Sequence, residues 1–94
     1  MFKSVEELKD ALHQFGYDDS IVFENPSYAD AVIGISNSGN VCYCYEKMIQ
    51  SLMREDSMDE EEAIEFIDYN TIRAIPYFSS YGPAPIVVFG DFLI

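Results

Sequence analysis

The chain has no tryptophan, one histidine, two cysteines and only five basic residues against seventeen acidic ones. Each shortage excludes something. With a formal net charge of -12, the surface repels DNA, RNA and anionic membranes, so neither direct nucleic-acid binding nor membrane binding is expected. Zinc takes about four ligands, and two cysteines with one histidine do not supply them. Cys42 and Cys44 make no disulfide framework. Met1 leads straight into a capped helix with no basic and then apolar leader, which predicts free thiols in a reducing cytoplasm. No apolar run approaches the roughly 20 residues of a membrane span. The longest, residues 84–89, is strand-sized.

What is present is a core. Half of the 94 residues are apolar (49%), including seven Phe and seven Tyr, which argues against disorder despite the charge. A chain of this length buries about two thirds of its unfolded surface, enough for one continuous core, so residues 1–94 are expected to form one domain.

Ser4-Val5-Glu6-Glu7 reads as a capping box, with the Ser4 hydroxyl accepting from the Glu7 amide and the Glu7 carboxylate reaching back to the Ser4 amide. Val5, Leu8, Ala11, Leu12 and Phe15 follow at helical spacing, and Gly16 suits the left-handed closing position, which predicts a helix over residues 4–15. Ile21-Val22-Phe23 predicts a brief strand. Residues 31–36 and 41–45 predict two strands joined by Asn37-Ser38-Gly39, residues that tolerate the positive φ of a hairpin turn. In the second strand Val41, Tyr43 and Tyr45 alternate with Cys42 and Cys44, an arrangement suited to a sheet partly covered by helices.

Tyr45, Met48, Ile49, Leu52 and Met53 then predict a helix ending near Asp56, and Ser57-Met58-Asp59-Glu60 reads as a second capping box. The helix it opens is strongly two-faced. Ala63, Ile64, Ile67, Thr71 and Ala74 share one side, while Glu61, Glu62, Glu65, Asp68 and Tyr69 share the other. Pro76 is expected to stop it, the segment 79–85 to form a loop, and residues 86–89 a final strand broken by Gly90. The expected fold is α+β: a small, mostly antiparallel sheet, made of the central hairpin and the C-terminal strand, packed against three helices.

Candidate chemistry is sparse. His13 lies off the apolar stripe of the first helix, where a solvated side chain is the plain reading, and no nucleophile-elbow pattern accompanies it. Cys42 and Cys44 lack the spacing and helix N-terminus of a redox pair and read as small hydrophobes. Between Glu55 and Asp68 stand eight carboxylates and no base. No glycine interrupts them, so the turn of a calcium-binding loop is missing, and an exposed helix face has no enclosure to split carboxylate pKa values for glycoside hydrolysis. No metal, cofactor or catalytic residue is therefore assigned.

The same acidic run has a second reading. Glu61, Glu65 and Asp68 follow one another by about 4.5 to 6 Å along a helix axis. A DNA strand presents a phosphate about every 3.4 Å, so such a row resembles a phosphate backbone. Solvation remains the default for the polar side of any amphipathic helix. Tyr69 and Ile72, with Arg73 beside them, go beyond what solubility requires. The candidate partner-binding residues are thus Glu61, Glu62, Glu65, Asp68, Tyr69 and Ile72. The alternative is that the loop from Tyr77 to Pro85 covers Tyr69, Ile72 and Arg73 locally.

Asp30-Ala31-Val32-Ile33-Gly34-Ile35, Tyr45-Glu46-Lys47-Met48, the stretch from Glu61 to Ala74 and the terminal Pro85-Ile86-Val87-Val88-Phe89 together resemble a family of small uncharacterised proteins from Gram-positive bacteria and their phages or mobile elements. The resemblance covers roughly two thirds of the chain. It carries no catalytic residues over. It implies a bacterial or phage cytoplasmic setting, where small acidic inhibitors of defence nucleases are a known type.

The expectation is a non-enzymatic cytoplasmic binding protein, in its sharper form an inhibitor occupying a basic nucleic-acid-binding site on a partner protein. The alternative is a self-associating accessory protein, a homo-oligomer joined through exposed aromatics and Phe92-Leu93-Ile94. An enzyme would require His13 and Cys42 or Cys44 to meet in one pocket.

Overall fold

The first helix, α1 (Val5–Gln14), is set by its ends. The Glu7 amide donates to Ser4 Oγ (3.2 Å), while the Glu7 carboxylate accepts from the Lys3 amide (3.1 Å), one residue before the expected partner. At the far end Gly16, at φ +84°, lets its own amide reach the His13 carbonyl and the Tyr17 amide reach the Leu12 carbonyl, a Schellman closure. Phe15 is the C-cap and turns out of the stripe, 76% exposed, so the apolar side of α1 ends at Leu12. The computed structural model describes residues 2–78 and 80–90.

Residues 21–23 do not form the expected strand. Their backbone finds partners elsewhere: the Ile21 amide donates to the Pro83 carbonyl (3.0 Å) and the Phe23 amide to the Tyr43 hydroxyl (3.2 Å). A buried phenol thus replaces a strand ladder. A 3-10 turn (Ala29–Ala31) then takes the first residue expected of the next strand, which is β1 (Val32–Ile35). It pairs antiparallel with β2 (Val41–Cys44) across the hairpin. The register slips between Val32 and Gly34, a bulge that leaves Ile33 48% exposed.

Helix α2 (Tyr45–Glu55) follows β2 with no linker, as its spacing predicts. The next cap lies two residues beyond the predicted box. Ser57 takes a left-handed φ of 56°, and Asp59 caps α3 (Glu60–Phe66) instead. The Glu62 amide donates to Asp59 Oδ1 (2.8 Å), and the Asp59 amide donates to Glu62 Oε1 (3.2 Å). Aspartate caps as well as serine, and Asp59 with Glu62 satisfies the same box rule, so two overlapping boxes competed.

The helical path does not stop at Pro76. It changes hydrogen-bond pattern through a π-turn (Ile67–Thr71) and a 3-10 turn (Ile72–Ala74), then restarts as α4 (Ile75–Phe78). Pro76 falls in the first turn of α4, where its missing amide and fixed φ are tolerated.

Strand β3 (Ile86–Val88) joins β2 in parallel, giving the order β1-β2-β3 and a mixed sheet. The direction follows from the connection: a helical crossover returns the chain to the start of its neighbour, as a tight turn cannot. The fold is thus α+β, with a small sheet built from the hairpin and the C-terminal strand against three helical bodies: α1, α2 and the run 60–78.

Val41 and Tyr43 of β2 point inward against Met48 and Leu52 of α2 and Ala63 and Ile67 of α3 and the π-turn, each helical pair four residues apart on one face. Phe23, Tyr28 and Tyr43 close one end as an aromatic cluster, with Phe23 centroids 5.6 Å from Tyr28 and 4.8 Å from Tyr43. No helix among the described residues is long and apolar enough to cross a membrane.

Candidate functional site

The capped start of α3 aims the acidic side away from the core. Ala63 and Ile67 are buried, and Glu61, Glu62, Glu65, Asp68 and Tyr69 are exposed, as the helical wheel requires. Ile72 is different: it is half-buried and packs against the core, so it belongs to the foundation of the surface more than to its face.

The remaining candidates divide: three rim a depression, and Glu61 and Asp68 are not among its lining residues. Glu62, Glu65 and Tyr69 rim a depression of about 330 Å³, whose other walls are Met58, Phe66 and Asn70. Asp68 instead meets Tyr45, whose hydroxyl donates to Oδ1 over a long 3.4 Å. Burial first, and then the Asp68 carboxylate, hold the Tyr45 phenol above its ordinary pKa. The Phe89 ring packs on Tyr45 with centroids 4.5 Å apart.

Charge on this face is uncompensated. The ion pairs among the described residues are Lys9 with Glu24, His13 with Asp18, and Arg54 with Asp30 and Glu55. None involves Glu60, Glu61, Glu62, Glu65 or Asp68. Arg73, the nearest base along the helical run, lies over the Tyr69 ring at 4.5 Å, a cation-π contact one turn apart. Tyr69 itself remains 61% exposed.

The expected alternative was a loop covering Tyr69, Ile72 and Arg73; Tyr69 and Arg73 are exposed, while Ile72 is half-buried against the core. The loop is stapled to the other end of the sheet, where Ile21 bonds Pro83 and the Asn40 side chain donates to the Ala84 carbonyl (2.9 Å). Gly82 makes this approach close: a Cβ there would overlap the Asp19 carbonyl oxygen.

Met58, Phe66 and Asn70 were not among the sequence candidates. Phe66 carried a signal, because an aromatic four residues after Glu62 and three before Tyr69 shares the acidic side of the wheel. Met58 precedes the cap and was unreadable before the cap position was known.

His13 and the cysteines do not meet at any of the cavities found. His13 Nδ1 pairs with Asp18 beyond the end of α1, which raises the imidazole pKa, first through the hydrogen bond and then through the charge. Cys42 and Cys44 are half-buried free thiols on β2. Among the described residues no group of three or more His, Cys, Asp or Glu side chains is placed to hold a metal ion. Phe92, Leu93 and Ile94, expected at a subunit contact, lie outside the described residues.

Compared with family models, curated proteins and solved structures, the chain matches none.

Proposed function

We propose that this protein is a non-enzymatic binding module whose α3 face engages a basic surface on a partner protein. One observation carries the reading: Glu61, Glu62, Glu65 and Asp68 stand exposed with no ion-pair partner among the described residues, beside a depression with apolar walls from Met58 and Phe66. Carboxylates at the rim with an apolar floor suit an arginine or lysine, whose stem packs while its head is neutralised. In the sharper form of the proposal the partner surface is a nucleic-acid-binding site, and the acidic row stands in for phosphates. A cytoplasmic bacterial or phage setting belongs to the same proposal, and the free thiols fit a reducing compartment.

The test uses a panel of purified basic nucleic-acid-binding proteins, with the wild-type chain and an E61Q/E65Q variant. The expected result is binding that weakens as salt rises, competes with DNA and is lost in the variant. Binding indifferent to salt and to both substitutions would remove the reading.

A second reading, self-association, has its own observation. Among the described residues strand β1 is a sheet edge, paired with β2 alone, and Ile33 on it and Phe15 are exposed around an apolar groove. Light scattering at high concentration separates the two, since a strict monomer removes the second.

A further inference from the structure

Helix α1 and strand β1 enclose a groove of about 520 Å³, walled by Leu8, Ala11 and Leu12 from the helix and by Val32, Ile33 and Ile35 from the strand. None of the described residues lining it is charged. Phe15 also lines it and is largely exposed, because the C-cap turn carries the ring out of the apolar stripe. Ile33 is exposed on the strand side, at the bulge. One patch therefore holds both an outstanding aromatic ring and an apolar recess.

A two-fold contact between identical chains requires a patch that is complementary to itself. A recess alone would need a knob from elsewhere, and a knob alone would need a foreign recess. Here the same patch supplies both, so two copies can exchange them. Charge selects the same partner. Residues 1–15 and 31–45, which build α1 and the hairpin, hold three acids against two lysines, a net charge of -1 out of the chain's -12. Two acidic copies repel one another least where they meet over these segments, whereas a basic partner is drawn to the carboxylates of α3. Direct pairing of β1 with another strand is a different contact, and the bulge at Ile33 works against it.

We propose that the groove is occupied by a second copy of this chain, with Phe15 of each copy packed between α1 and β1 of the other about a two-fold axis. This rests on the self-association reading and gives it a surface; the α3 reading does not depend on it. A buried Phe ring removes about 150–250 Å² from water, so Phe15 is the anchor of the contact. The patch is small beside a standard interface, which sets a weak dimer with Kd on the order of 10 µM to 1 mM.

Sedimentation velocity of the full chain over about 10 µM to 1 mM tests this, at about 50 and 500 mM salt. Expected is a monomer–dimer equilibrium that strengthens as salt screens the repulsion between copies, the opposite of the salt response at α3. F15A, at an exposed helix end, should fold as the wild type does by circular dichroism and raise Kd about thirtyfold or more, since each dimer loses two anchors. I33T keeps a β-branched residue in the strand and should also weaken the dimer. Y77A removes a similarly exposed aromatic outside the groove and should leave Kd unchanged. A dimer equally strong in F15A and wild type, or weakened as much by Y77A as by F15A, would overturn the proposal while self-association stands. A strict monomer throughout would remove both.

Discussion

The Tyr28 hydroxyl and Thr71 Oγ1, 43 residues apart, share a buried hydrogen bond of 2.8 Å. It ties the turn that leads into β1 to the π-turn of the long helical run, and both partners are almost wholly enclosed. The position of the acidic face relative to the sheet depends on this join, because Thr71 ends the segment that carries Asp68 and Tyr69.

Removing one partner leaves the other buried and unsatisfied, which costs more than the bond itself contributes. T71V, which keeps the shape and deletes the hydroxyl, should lower stability by about 1–3 kcal/mol in urea denaturation. T71S should recover part of the loss. Equal stability of T71V and wild type would show that Tyr28 finds another acceptor.

Tyr43 makes a pH prediction. Burial raises its phenol from 10.0 to about 12, against a smaller opposing effect of the Phe23 amide that it accepts. The folded state holds this proton more tightly than the unfolded chain, so its contribution is complete below pH about 10 and is lost as pH rises from there toward 12. The loss is on the order of 2–3 kcal/mol. Tyrosinate absorbance should therefore show one phenol titrating together with unfolding, and Y43F should remove that phase.

His13 titrates with the opposite exposure. Its pairing with Asp18 lifts the imidazole pKa above 6.5, and the pair is open to water. The pair's contribution is present below pH about 6.5 and fades as pH rises through the lifted value. NMR titration of D18N should bring His13 back down toward 6.5, with little change in melting temperature, because exposed pairs contribute little.

The acidic face should be nearly neutral for folding. Glu61 and Glu65 are like charges one turn apart, whose repulsion costs about 0.2–0.5 kcal/mol, while Glu61 in the first turn gains a similar amount from the helix dipole. E61Q/E65Q should therefore change stability by less than about 0.5 kcal/mol while abolishing partner binding. A large stability change would place these residues in the fold and not at its surface.

Much of this was legible along the chain. The stripe of Ala63, Ile67 and Thr71 against Glu61, Glu65 and Asp68 repeats with the helix period, and burial follows that period wherever one side meets a core. Ser4, Gly16 and Asn37-Ser38-Gly39 marked their boundaries because each acts on backbone within a few residues. The misreadings have two causes: at Ile21 and Phe23 distant partners replaced a local ladder, and elsewhere one local preference gave way to another. Ile21 and Phe23 bond Pro83 and Tyr43 instead of a neighbouring strand, Phe15 gives up the stripe to the Schellman turn, and the helix passes Pro76 by changing its hydrogen-bond pattern from Ile67 onward.

The sequence by itself determined the helices, the hairpin, the charge and the outward direction of the carboxylates, because these depend on propensity and periodicity within a turn or two. Tertiary structure alone decided that β3 runs parallel to β2, that the loop of Gly82 leaves Tyr69 open, and that Tyr28 meets Thr71 in the core. Each of those outcomes is a contact between segments far apart in the chain, and such contacts are selected by packing of the whole core, which no local pattern of residues encodes.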